Sequence, residues 1–201
     1  MDKNVHYLKW DSFANVLKGK KMAVFTLLDL KRIFLLKEDT LKRFLSRQTK
    51  KNKLIRLKRG LYCLKDEVPN ELVIAGRLYL PSYISLEFAL SYYSIIPETV
   101  YAITSVTPKT TREFIVSGKS YTFNKIKKEA YCDYTIQKKD DSSFFIATPE
   151  KALADYLYFI SLGLRSKNER IVWTKVNLVK VKKLLINKFG LKLQQAKKLL
   201  T

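Results

Sequence analysis

The chain has 201 residues, 47% hydrophobic and 12% aromatic, with a formal net charge of +21, one histidine and two cysteines. That apolar content supports a packed core and excludes a disordered chain. A single histidine leaves no material for a Ser-His-Asp, Cys-His or histidine-metal centre beyond His6 itself. No apolar run reaches the ~18 residues that cross a bilayer. Residues 1–11 lack the apolar stretch of a secretion signal, so a cytoplasmic location with reduced Cys63 and Cys132 is expected and no membrane contact.

The charge is unevenly placed. Residues 1–67 hold 18 Lys/Arg against 7 Asp/Glu, residues 68–164 hold 10 of each, and residues 165–201 hold 11 against 1. Charge selected for solubility alone would spread along the chain, whereas two basic blocks around a neutral centre suggest two surfaces that meet polyanions or acidic partners.

In chain order, Asp11 offers a capping side chain to a helix over Asp11–Leu17 that puts Phe13, Val16 and Leu17 on one face. Thr26 is an N-cap for a second helix, with Leu27, Leu30, Ile33 and Phe34 at helical spacing. Asp39 or Thr40 can cap a third helix running to about Lys50. On that helix Leu41, Phe44, Leu45 and Gln48 share one side, and Lys42, Arg43, Ser46, Arg47 and Lys50 the other. Arg43, Arg47 and Lys50 recur at i, i+4, i+7. Between Asp39 and Asp66 stand ten basic residues and no acidic one. A solvated helix face ordinarily mixes signs to gain i,i+4 pairing. A face without that mixture gains from an external anion. Lys53–Leu64 reads as two short strands, with Gly60 supplying the positive φ of a three-residue hairpin loop.

Two helices, a basic helix and a basic hairpin follow the order of a winged helix-turn-helix. The third helix would enter the major groove of double-stranded DNA, with Arg43 and Arg47 at base edges and Ser46 at a base or phosphate. Lys42, Lys50, Lys51, Lys53, Arg56, Lys58 and Arg59 would hold the backbone.

The rest predicts a mixed α/β domain. Helices are expected over 70–80 and 85–93 around a break at Pro81. Strands are expected over 99–107, 112–116, 120–126 and 144–147, with Ser117-Gly118-Lys119 as a hairpin turn. Thr148-Pro149 pairs a hydroxyl N-cap with proline at the first helical position and starts a helix carrying Ala152, Leu153, Tyr156 and Leu157 inward. Two amphipathic helices close the chain. Val181, Leu184 and Leu185 line the first, Phe189-Gly190 stops it, and Leu193, Ala196, Lys197 and Leu200 continue in the second. The fold class expected is α+β: a winged helix-turn-helix over 1–67, then an α/β domain over 68–201 with terminal helices in its basic tail, 165–201.

No enzyme is expected. There is no Walker-type loop, and the chain holds six glycines. Glu87, Glu150 and Asp155 invite a catalytic role, but Glu150 sits in a helix first turn, where a carboxylate is favoured anyway. Lys151 fits either a surface position or an anion contact. A metal nuclease needs clustered carboxylates; Asp133, Asp140 and Asp141 come nearest, and the last two fall in an exposed turn. No cofactor, catalytic or metal residue is assigned.

The helix-turn-helix followed by IRLKRGLYCL, then YISLEFALSYYSIIPE, then FFIATPEKALADYLYF resembles the AbiEi family of antitoxins from abortive-infection, type IV toxin–antitoxin systems, over roughly residues 10–160. Arg56 and Arg59-Gly60-Leu61-Tyr62 match the wing, and Ser85–Leu90 and Thr148–Leu153 match motifs of the second domain. The resemblance implies a transcriptional repressor that binds its own promoter and an antitoxin domain that neutralises a nucleotidyltransferase-type toxin. Residues 165–201 lie outside it. Their Lys180, Lys182, Lys183, Lys197 and Lys198 are expected to meet the toxin or a nucleic acid that the toxin recognises. The alternative is a winged-helix regulator unconnected with a toxin, whose second domain senses a ligand or recruits a partner.

Overall fold

The computed structural model describes residues 8–139 and 142–200. The chain is an α+β protein with two compact units, Met1–Asn70 and Glu71–Thr201.

The first unit runs α1 (Trp10–Gly19), β1 (Phe25–Thr26), α2 (Leu27–Phe34), α3 (Glu38–Lys50), β2 (Leu54–Lys58) and β3 (Leu61–Leu64). Thr26 caps α2 as its sequence predicts. Its hydroxyl accepts from the Asp29 N–H at 3.2 Å, and the Asp29 carboxylate accepts from the Thr26 N–H at 2.8 Å, so two orphan donors of the first turn are satisfied together. Leu35 takes a left-handed backbone, φ 52°, which ends α2 and turns the chain into α3. The other two expected caps are corrected. α1 begins at Trp10 behind Lys9, and α3 begins at Glu38 behind Lys37, neither with a side-chain cap. Asp11, Asp39 and Thr40 lie inside their helices, and the acidic pair acts there on the helix dipole instead.

Phe13 from α1 is the hub of this unit's core. Its ring centroid lies 4.9 Å from that of Phe44 on α3, 5.3 Å from Phe34 on α2 and 5.8 Å from Phe25 on β1. Leu17, Leu30, Leu41, Leu45, Leu54 and Leu64 complete a fully or nearly fully buried cluster. All three helices and the sheet therefore share one apolar centre, which fixes the face α3 turns outward. β2 and β3 pair antiparallel from Leu54↔Leu64 to Lys58↔Leu61, with an irregularity between Arg56 and Lys58. Arg59 and Gly60 close the turn, a loop of two residues rather than three, with Gly60 at φ 80°, where an L side chain would be strained. β1 adds to β3, giving the order β1-β3-β2.

The second unit contains α4 (Glu71–Leu78), β4 (Tyr83–Ile84), α5 (Leu86–Tyr92), β5 (Ile103–Thr107), β6 (Arg112–Val116), β7 (Lys119–Lys125), β8 (Tyr134–Lys139), β9 (Ser142–Ala147), α6 (Pro149–Ser161), α7 (Leu178–Asn187) and α8 (Leu193–Leu199), with short 3₁₀ turns at Lys128–Ala130 and Trp173–Lys175. Its sheet has the order β6-β7-β5-β4-β9-β8 and mixes parallel and antiparallel neighbours. α6 is enclosed on every side: Lys151 through Phe159 are all buried, with α5 and α7 against it. The expected inward set Ala152, Leu153, Tyr156 and Leu157 is thus only part of what this helix buries. β4 and β8 have no counterpart in the sequence expectation, and the strand expected over 99–107 is Ile103–Thr107. Among the described residues, no helix is long and apolar enough to cross a membrane.

Candidate nucleic-acid interface

α3 separates its residues by chemistry. Leu41, Phe44, Leu45 and Gln48 are buried, while Arg43, Ser46, Arg47 and Lys50 are exposed. Those four, with Lys51, line an open concavity of about 430 Å³. Arg47 stands over the ring of Phe44, its guanidinium carbon 5.9 Å from the centroid, so one core side chain braces one surface cation. Anchoring at Phe44 and Leu45 leaves the cations only the solvent side.

Lys42 is placed differently. Its ammonium lies 2.7 Å from Glu38, and the other oxygen of the same carboxylate lies 3.3 Å from Lys31 on α2. Hydrogen bonds from Lys42 and then Lys31 hold the Glu38 carboxyl below its ordinary range, and Glu38 in turn holds Lys42 above its own. One lysine of α2 and one of α3 are thereby partly neutralised by the first turn of α3. Asp39, the next residue, is exposed, and its charge also acts favourably on Lys42, after that of Glu38.

In the β2–β3 hairpin Arg56 and Arg59 are exposed and Lys58 is half-buried. The Arg59 charge acts unfavourably on Lys42, which brings the hairpin tip and the first turn of α3 into one electrostatic neighbourhood. Lys53 goes elsewhere. Its ammonium sits 5.0 Å from the Trp10 ring centroid, and it lines a second concavity of about 230 Å³ with Trp10, Asn52, Lys65 and Asp66. Nearby Lys18 is held by Asp66 at 3.2 Å and Glu67 at 3.0 Å. Of the ten residues predicted to meet DNA, Arg43, Ser46, Arg47, Lys50 and Lys51 share one concavity, Lys42 and Arg59 feel each other's charge, and Lys53 belongs to another concavity.

No protein-family model and no curated protein matches this chain.

Three carboxylates of the second unit that invite a catalytic role, Glu87, Glu150 and Asp155, have partners within the unit. Glu87 pairs with Arg165 at 2.8 Å. Glu150 pairs with Lys180 at 3.3 Å and accepts from the Asn177 N–H at 3.4 Å. Asp155 and Lys151 form a fully buried ion pair one helical turn apart. Asp155 also accepts from the Ser85 hydroxyl at 2.6 Å and the Tyr83 hydroxyl at 3.2 Å. Lys151 lies 4.6 Å from the Phe189 ring centroid. Burial pushes the Asp155 carboxyl up, against the pull of Lys151. Lys151 is therefore neither a surface residue nor an anion contact: it is sealed in the core with its counterion.

Asp133 is exposed, and no cluster of metal-ligating side chains occurs among the described residues. His6, Asp140 and Asp141 lie outside the described residues. In the tail, Lys183, Lys197 and Lys198 are exposed, Lys182 is half-buried, and Lys180 is spent on Glu150. Sequence reasoning missed three features at the candidate interface: the double use of Glu38, the place of Asp39 on the cationic side of α3, and the Trp10 concavity. The i,i+4 spacing of Glu38 and Lys42 signals the first; the others depend on which side of α1 and α3 the core takes.

Proposed function

We propose that the chain is a sequence-specific double-stranded-DNA-binding repressor of winged helix-turn-helix type, with α3 in the major groove and the β2–β3 hairpin on the backbone. The observation that carries this is the outward face of α3, where three long cations and a serine line one concavity and the only acidic residues lie in the first turn. Cations so crowded repel one another, and a phosphate ladder relieves that repulsion while releasing its counterions. Arginines on such a face match the paired acceptors of guanine, O6 and N7. Helix-turn-helix order, a three-stranded sheet and a two-residue cationic hairpin tip support the same assignment.

With this goes the second half of the proposal, carried by the resemblance of Ser85–Leu90 and Thr148–Leu153 to AbiEi antitoxins. In it the operator lies in the protein's own promoter and the second unit neutralises a nucleotidyltransferase-type toxin encoded beside it. Footprinting on the upstream sequence tests the first half. Arg47→Ala is expected to weaken operator binding by about 1–3 kcal/mol while changing random DNA less. An equal loss on both reassigns Arg47 to the backbone. Co-expression with the neighbouring gene's product tests the second half. Reversing Lys183, Lys197 and Lys198 is expected to abolish rescue and leave promoter binding intact, and full rescue by that variant removes the tail from the account.

A further inference from the structure

The first turn of α3 carries two adjacent carboxylates with opposite fates. Glu38 lies off the cationic face and is consumed by Lys31 and Lys42. Asp39 lies on that face: at ~100° per residue it falls inside the same arc of about 100° as Arg43, Ser46, Arg47 and Lys50. Its i+4 neighbour is Arg43, the same spacing at which Glu38 captures Lys42, yet among the described residues no ion pair joins Asp39 to Arg43, and the Asp39 charge acts on Lys42 only at longer range than Glu38 does. The result is an exposed carboxylate, in no side-chain ion pair among the described residues, at the leading end of an otherwise cationic face.

An anion there opposes DNA binding in general, because it faces the most negatively charged polymer in the cell. It is offset only where a hydrogen-bond donor on a base edge meets it. In the major groove two donors exist, the N4 amino group of cytosine and the N6 amino group of adenine. Adenine sets its amino group beside the N7 lone pair, which repels a carboxylate. Cytosine sets its amino group beside a C–H, which does not.

We propose that Asp39 is a specificity-determining residue of the α3 interface, accepting a hydrogen bond from the N4 amino group of one cytosine. This rests on the DNA-binding function proposed above and adds to it a base preference and a penalty on wrong sequences. The helix dipole favours an acid at this position as well, but that effect acts on folding stability and is blind to DNA sequence.

The test is selection from a random duplex library by the full-length protein, Asp39→Ala and Asp39→Asn, followed by anisotropy titrations on the enriched duplex and on single-base changes of it. The wild type is expected to enrich a motif with at least one cytosine whose replacement weakens binding about tenfold or more. In Asp39→Ala that contrast falls to about twofold or less at this one position, the contrasts at other positions persist, and affinity for random duplex rises. Asp39→Asn, which keeps the side-chain shape, is expected to shift the preference toward adenine, whose N6/N7 pair suits an amide. A wild-type motif whose cytosine contrasts survive in both variants overturns the role of Asp39 and leaves the DNA-binding function standing. A wild type that enriches nothing overturns both.

Discussion

Glu38→Gln tests whether the first turn of α3 restrains indiscriminate DNA binding. In the wild type one carboxylate holds Lys42 at 2.7 Å and Lys31 at 3.3 Å, so each lysine approaches a phosphate only by carrying that negative charge along or by leaving it. The amide retains the side chain's length and removes the charge. If both lysines then reach phosphates, the slope of log K against log salt steepens by up to about 1.8, at ~0.9 for each phosphate on B-DNA. At 0.1 M salt this is roughly 8-fold in affinity per phosphate, hence up to about 60-fold for random duplex. One lysine gives half the slope change. The assay is fluorescence anisotropy of a labelled random duplex titrated at several salt concentrations from 50 to 300 mM, with wild type and variant side by side. An unchanged or shallower slope would show that Lys31 and Lys42 stay off the backbone, and the restraint assigned to Glu38 would be refuted.

Three further outcomes follow from particular side chains. Lys151→Ala strips the buried Asp155 of its counterion and is expected to destabilise by about 3–5 kcal/mol, whereas the double change Lys151→Met with Asp155→Asn, which keeps an acceptor for the Ser85 and Tyr83 hydroxyls, recovers most of that loss; urea titration of the three proteins checks it, and a mild single-mutant effect would refute the cost assigned to the missing counterion. Burial pushes the Cys63 thiol up to about 11, so the folded protein keeps its proton while the unfolded chain releases one near ~8.5. Stability is therefore expected to fall as pH rises from the unfolded value toward the folded one, and the fall is expected to vanish in Cys63→Ala, read by thermal melts from pH 7.5 to 10.5. Neutralising Arg56 and Arg59 together is expected to weaken operator and random DNA by the same factor and to flatten the salt slope by up to about 1.8, as anisotropy on both duplexes would show; a change confined to the operator would make the hairpin a base reader.

Much of the first unit is legible from residue spacing because its helices are amphipathic and short. The Thr26–Asp29 box, the buried set Leu41, Phe44, Leu45 and Gln48, and the turn at Gly60 all follow from local chemistry. In the second unit the local code is weaker. Tyr83–Ile84 is a two-residue strand whose partners β5 and β9 lie far along the chain, and β8 alternates partly exposed apolar with polar residues as an edge strand. α6 misleads for a different reason. Lys151 reads as a surface residue or an anion contact, and only the packing of α5, α7 and Phe189 around the helix makes it and Asp155 a core pair.

The candidate interface shows the same division between what spacing conveys and what packing decides. Periodicity groups Lys42, Arg43, Ser46, Arg47 and Lys50 as one polar face, and a count of charges makes that face uniformly basic. Coordinates split it. Lys42 is answered by Glu38, and Asp39 stands on the arginine side with no ion pair to Arg43 among the described residues; beyond the helix, Lys53 turns to Trp10. A surface meant only to hold phosphates gains nothing from that aspartate, since every sequence would be bound more weakly for its presence. A surface that must distinguish one sequence from many competitors gains from it, because the weakening applies wherever the matching amino group is missing. If α3 meets DNA as proposed, its arrangement favours selectivity over strength, and Asp39, rather than the excess of lysine, is the residue expected to separate a reader of sequence from a general nucleic-acid binder.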